Sequence, residues 1–74
     1  MNNNRRKQIG KAIEKIEEVT SILQEVLNEE EDAFDNMPEN LQGSVRGEQS
    51  QEAIDILETS IGNLEDIVDE LTGI

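Results

Sequence analysis

The sequence contains no cysteine, histidine, tryptophan or tyrosine, and Phe34 is its only aromatic residue. Without cysteine, neither a disulfide nor a thiolate metal site can form. Without histidine as well, the chain lacks the usual general base, the usual nucleophilic thiol and the commonest transition-metal ligands. We therefore expect a protein that is not an enzyme and that holds no cofactor and no metal ion.

Long apolar runs are also missing, since no stretch approaches the roughly 20 apolar residues of a membrane span. The basic run Arg5-Arg6-Lys7 leads into an amphipathic pattern rather than into the apolar segment of a secretory signal. These features predict a cytoplasmic protein that has no membrane partner. A chain of 74 residues forms a single domain, residues 1–74, whose core alone rarely supplies more than about 3–5 kcal/mol.

Charge is abundant but unevenly placed, and the formal net charge is −12. Residues 1–15 carry five basic side chains against Glu14 alone. After Lys15 the only basic residue is Arg46, which stands against seventeen acidic residues. The sequence is therefore strongly polarised along its length.

Apolar residues recur at alternating spacings of three and four, which predicts two amphipathic helices. The first helix is expected at about residues 4–34, capped by Asn3 or Asn4, and the second at about 48–72, ended by Gly73. The apolar positions are Ile9, Ile13, Ile16, Thr20, Leu23 and Leu27 in the first helix, and Ile54, Leu57, Ile61, Leu64, Val68 and Leu71 in the second. Residues 35–47 are long enough to connect the two helices as an antiparallel hairpin.

The two apolar series match each other when the chain folds back. Paired residue numbers add up to 80 or 81 throughout, from Leu27 beside Ile54 to Ile9 beside Leu71. The same register sets the N-terminal basic cluster beside the acidic end of the second helix. Each cluster opposes the dipole of its own helix, so their pairing offsets both unfavourable placements.

One flank of the predicted hairpin is wider and more apolar than two helices require. In heptad notation its members occupy g and c positions, and Ser60 is the single polar one. We call this surface the apolar strip and expect it to be an oligomer interface, formed by Ala12, Val19, Ile22, Val26, Ala53, Ile56, Ser60 and Ile67. The fold expected is all-α, a two-helix hairpin that associates with itself into a four-helix bundle or a larger helical oligomer.

The connection is more elaborate than a turn requires. Asn36 and Glu39 have the spacing of an N-cap pair, Pro38 suits a first helical turn, and Gly43 suits its end. This pattern predicts a short helix at about residues 37–42. Three apolar side chains would then cap the open end of the bundle, namely Phe34, Met37 and Leu41.

The connection also carries the most specific sequence pattern. It reads Ala33-Phe34-Asp35-Asn36-Met37-Pro38-Glu39-Asn40-Leu41-Gln42, then Arg46-Gly47-Glu48, then Glu52-Ala53-Ile54-Asp55. In these residues the chain resembles small acidic helical proteins of unknown role encoded by bacteriophages and prophages of Gram-positive bacteria. The resemblance implies a phage origin and hence the cytoplasm of the host cell, but no particular activity.

Two basic positions are candidate binding sites. Arg46 beside Gly47, near the predicted start of the second helix, has the chemistry of an anion or phosphate site. An ion pair with Asp32, Asp35 or Glu48 that holds the shape of the loop is the favoured alternative. Arg5 and Arg6 either bind a partner or balance the acids of the second helix. Their cluster is too small, and too poor in aromatic residues, for direct nucleic-acid binding. The acidic run 29–32 lacks the spacing of a calcium loop and is read as a solvated end.

These features predict a non-catalytic phage protein that inhibits or sequesters a host component. The partner is a host protein or an anionic nucleotide, such as an immune signal, held at a pocket formed by the oligomer and the connection. The candidate contact residues are Phe34, Asn36, Met37, Pro38, Leu41, Arg46, Gly47, Arg5 and Arg6. Two alternatives remain open: an acidic mimic of nucleic acid that blocks a host enzyme, and a passive structural or assembly protein.

Overall fold

A computed structural model describes all residues from Met1 to Ile74 and shows an all-helical chain. Helix α1 spans Asn3–Asp35, the single turn α2 spans Glu39–Gln42, and α3 spans Val45–Thr72. Helices α1 and α3 pack against each other along a rod of 58 × 15 × 13 Å. The predicted hairpin with a short helical turn in its connection is therefore confirmed.

The ends of α1 follow from local hydrogen bonding and from Pro38. The side-chain oxygen of Asn2, rather than of Asn3 or Asn4 as expected, accepts a hydrogen bond of 2.8 Å from the Arg5 amide. The helix stops at its C-cap Asn36, because the next residue, Met37, precedes Pro38, and the residue before a proline is pushed out of helical geometry. Asn36 thus closes α1, and the prediction that it caps the next helix is wrong.

The start of α3 is the largest difference from the predicted boundaries. Ser44 is the N-cap, so the helix begins at Val45 rather than near residue 48. The Ser44 hydroxyl accepts a hydrogen bond of 3.4 Å from the Gly47 amide, which satisfies a donor that the first helical turn leaves free. Arg46 and Gly47 consequently lie inside the first turn of α3, not in the connection. The helix ends at Gly73, as predicted.

Two hydrogen bonds at opposite ends of the rod set the register. The Ser50 hydroxyl donates to the Glu30 carboxylate at 2.7 Å, and the Arg6 guanidinium donates to the main-chain oxygen of Ile74 at 3.1 Å. The residue numbers add up to 80 in both pairs, which agrees with the predicted register. Between them, Leu27, Ile54 and Ile61 form a small buried cluster.

The buried core is small relative to the surface that the hairpin exposes to solvent. Only three apolar side chains are buried, with Leu23, Phe34 and Leu57 packed around them. The chain exposes 5602 Å², whereas a folded monomer of its mass, 8.3 kDa, exposes roughly 4,600 Å². The hairpin therefore carries roughly 1,000 Å² more accessible surface than a compact monomer of its size.

None of the three helices combines the length and the apolar character that crossing a membrane requires.

Candidate functional site

The turn between α2 and α3 is built around Gly47, which is buried. A side-chain carbon added at Gly47 would lie 2.6 Å from the carbonyl oxygen of Leu41 and closer still to that of Gln42. Only glycine lets the first turn of α3 approach the end of α2 so closely. The Gln42 amide strengthens the same corner by donating to the carbonyl oxygens of Phe34 and Met37, both at 3.2 Å. This packing fixes the position of the backbone at Arg46, from which its side chain extends.

A shallow cavity of about 300 Å³ opens beside this corner, between the end of α1 and the first turns of α3. We call it the loop-end cavity. It is lined by Glu30, Ala33, Met37, Arg46, Gln49 and Ser50. Glu30 and Ser50 hydrogen bond to each other across its wall. The cavity therefore combines one cationic group, amide and hydroxyl groups, and a carboxylate that is already engaged.

The other residues predicted around Arg46 have different roles. Phe34 packs against the buried cluster, so it caps the core as expected. Met37 is half-buried and lines the cavity. Pro38 and Asn36 shape the turn between α1 and α2, whereas Leu41 is largely exposed and does not close the core. Of this group, only Met37 and Arg46 face the cavity.

Arg5 and Arg6 lie at the other end of the rod, so a single hairpin does not bring them to Arg46. The Arg6 guanidinium donates to the main-chain oxygens of Met1, at 3.3 Å, and of Ile74, at 3.1 Å. Arg6 therefore joins the two ends of the chain through main-chain oxygens rather than through the acidic side chains of α3. Arg5 is exposed.

The apolar strip is solvent-facing along the middle of the rod. Its five large side chains are between 41% and 60% exposed, which is far from the burial of core residues. They are Val19, Ile22, Val26, Ile56 and Ile67. Exposure of this many aliphatic side chains on one face is typical of an interaction surface.

Charge divides the rod into two unequal halves. The terminal half, residues 1–20 and 60–74, carries five basic and seven acidic side chains, a net charge of −2. The loop half, residues 21–59, carries eleven acidic side chains and Arg46, a net charge of −10. No group of three or more carboxylates lies close enough together to hold a metal ion. Arg46 is thus the single cationic group in a strongly anionic half.

Sequence reasoning missed several residues that shape this end. The predicted connection, residues 35–47, includes Ser44, although a serine three residues before a helical amide is a recognisable N-cap signal. Gln42, Glu30 and Ser50 carry no pattern that marks them, because their partners are distant in sequence or lie on the backbone.

Comparison with family models, with curated proteins and with solved structures finds no match to this chain.

Proposed function

We propose that this chain is a non-catalytic binding protein of phage origin that associates with copies of itself and sequesters a small anionic host component. The ligand class is a nucleotide, such as an immune signal, and its site is the loop-end cavity. One observation carries the proposal: the only basic side chain of the loop half lines a cavity together with Ala33, which lies seven residues after Val26 of the apolar strip.

The chemistry of the cavity fits such a ligand. Its volume of about 300 Å³ lies at the lower end of the range for small-molecule sites. A guanidinium group recognises phosphate through paired hydrogen bonds, and Arg46 is held on a helical turn fixed by Gly47. The Gln49 amide adds polar groups for a base or a sugar. Met37 offers an adaptable apolar surface at the cavity wall.

Self-association follows from the imbalance between core and surface. A core of three buried aliphatic side chains gives little stability, whereas the apolar strip leaves five large ones exposed. Fully burying an exposed side chain of this kind contributes about 1.5–3 kcal/mol. Roughly half of that remains to be gained by side chains that are 41–60% exposed. A second hairpin on the strip, giving a four-helix bundle, removes this surface from water.

Arg46→Ala tests the proposed site. The side chain is exposed and lies on the helix surface, so the fold and the oligomer should be unchanged. Binding of nucleotides should weaken more than about tenfold, because charge-assisted contacts from arginine contribute roughly 1.5–3 kcal/mol. Calorimetric titration with a panel of cyclic and linear nucleotides measures the change.

Lys11→Ala is the matched control, since it removes the same charge from the exposed face of the terminal half. It should bind the nucleotide as the wild type does. If no nucleotide in the panel binds the wild-type protein, the sequestration proposal fails and a host protein becomes the partner to seek.

The acidic loop half favours one further candidate, a mimic of nucleic acid that occupies a basic cleft. Its net charge of −10 is concentrated in one half of a narrow rod. Binding to a basic host protein should then weaken steeply as salt rises, because screening shortens to about 8 Å at physiological ionic strength. A triple variant with three exposed acids of the loop half changed to Gln, namely Glu25, Glu52 and Glu58, should weaken this binding more than Arg46→Ala does. Affinity measured across a salt series, insensitive to both changes, would speak against mimicry.

A further inference from the structure

We infer that a second copy of this chain covers the apolar strip in antiparallel orientation, and that Arg5 of each copy completes the loop-end cavity of the other. In this arrangement the loop end of one hairpin lies against the terminal end of its partner. The inference rests on the self-association in the proposed function and adds the orientation and a residue that the second copy contributes.

The surface area fits a dimer of this kind. The hairpin exposes roughly 1,000 Å² more than a compact monomer of its mass. A stable protein interface buries about 800 Å² on each partner. The surplus surface of the whole hairpin is therefore comparable to the area that contact with one second copy would bury.

The g-position members of the strip, which exclude Ile22 and Ile56, are symmetric about a centre on α1. Ala12 lies seven residues before Val19, and Val26 lies seven residues after it. When α1 packs antiparallel on α1 of the second copy, Val19 faces Val19, and Ala12 faces Val26. A small side chain thus meets a larger one, as close packing between helices favours.

The strip has the same symmetry on α3. Ser60 is the centre, with Ala53 seven residues before it and Ile67 seven residues after it. Antiparallel packing of α3 on α3 sets Ser60 against Ser60 and Ala53 against Ile67. A two-fold axis through the middle of the strip therefore satisfies both helices at once.

Charge selects this orientation. A parallel arrangement, with α1 lying across α3 of the second copy, also buries the strip, because Ile22 and Ile56 lie nearly level. It places two halves of net charge −10 side by side within about one screening length. The antiparallel arrangement instead places each loop half against a terminal half, which holds five of the six basic residues.

The antiparallel register brings a second arginine to the loop-end cavity. The spacing of seven that relates Ala12, Val19 and Val26 continues to Arg5 at one end and to Ala33 at the other. Arg5 of the second copy therefore faces Ala33, which lines the cavity beside Arg46. Each dimer has two such cavities, and each cavity draws its two guanidinium groups from different chains.

Cysteine cross-linking tests the orientation without background, because the native chain has no cysteine. In the antiparallel dimer Val19→Cys should form a disulfide with itself, and Ala12→Cys mixed with Val26→Cys should form a mixed disulfide. Val26→Cys alone should not, since its two copies lie about 21 Å apart along the helices and a disulfide needs Cα atoms within about 7 Å.

The same cross-linking experiment can also contradict the antiparallel orientation. A cross-link between Val26→Cys and Ala53→Cys on different chains, without one from Val19→Cys, means parallel packing and overturns the inference. Light scattering of the wild-type protein separates this failure from that of the proposed function. A monomer at micromolar concentration contradicts self-association itself, whereas a dimer with the parallel cross-link contradicts only the orientation.

Subunit mixing tests the shared cavity, with inorganic pyrophosphate as the probe. Arg5→Gln and Arg46→Gln should each weaken its binding more than about tenfold. Random mixing of the two variants gives heterodimers in which one cavity has both arginines and the other has neither, so about a quarter of the wild-type sites should return. Recovery in the mixture supports the inference. A mixture that binds no better than its parents, or a wild-type protein that does not bind pyrophosphate, overturns it.

Discussion

Val19→Glu is expected to convert the oligomer into monomers and to lower the free energy of unfolding by more than about 2 kcal/mol. Val19 lies at the centre of the apolar strip, so an interface there would bury the new carboxylate. An unpaired buried charge costs several kcal/mol, and the helices separate instead. Light scattering gives the mass, and thermal unfolding at several protein concentrations shows whether stability depends on association.

Gln24→Glu provides the control for this change. It adds one negative charge to the same helix, on the exposed flank opposite the strip. Its mass and its unfolding should remain close to those of the wild type, as is usual for exposed substitutions. A Val19→Glu protein with the wild-type mass, or a wild-type mass near 8.3 kDa, would rule out the strip as an interface.

Gly47→Ala is expected to lower the free energy of unfolding by roughly 1–3 kcal/mol, the cost of forcing an extra carbon atom into a packed site. The atoms that the new carbon meets belong to the backbone of Leu41 and Gln42, so no side-chain rotation relieves the contact. The start of α3 must move away from α2 instead. Chemical denaturation of the full chain measures the loss.

Two other glycines make this test specific. A carbon added at Gly10 or at Gly62 meets no atom within 4 Å. Alanine at either position should therefore raise the free energy of unfolding by about 0.5–1 kcal/mol, because alanine has less conformational entropy than glycine in the unfolded chain. If Gly47→Ala is as stable as these variants, the close approach of α2 and α3 does not constrain the fold.

The hairpin and its register were predictable because they depend on periodicity. The apolar spacing fixes which face of each helix is buried, and only one antiparallel pairing aligns the two series from Ile9 to Leu27. The exposed strip followed from the same pattern, since six of its eight members repeat every seven residues along the two helices. Such signals are spread over many residues, so no single position decides them.

The corner around Gly47 could not be read in the same way. A cap depends on one side chain, and Ser44 stands between two glycines that read as a loop. The reason for Gly47 is a backbone from another element, which no local pattern reveals. The isolation of Arg46 is visible in the sequence, but two of its neighbours in the cavity, Glu30 and Ala33, come from α1 and depend on the tertiary register.

The uneven burial along the rod has a consequence for the order of folding. All five buried residues lie between Leu27 and Ile61, in the part of the hairpin that runs from the middle of the rod to the turn. Contacts near a turn close a short loop, and their entropic cost is lower than that of contacts between distant segments. We therefore expect the first stabilising tertiary contacts to form near the turn, and the remaining contacts between α1 and α3 to form progressively toward the termini. The contact from Arg6 to Ile74, which spans nearly the whole chain, forms last.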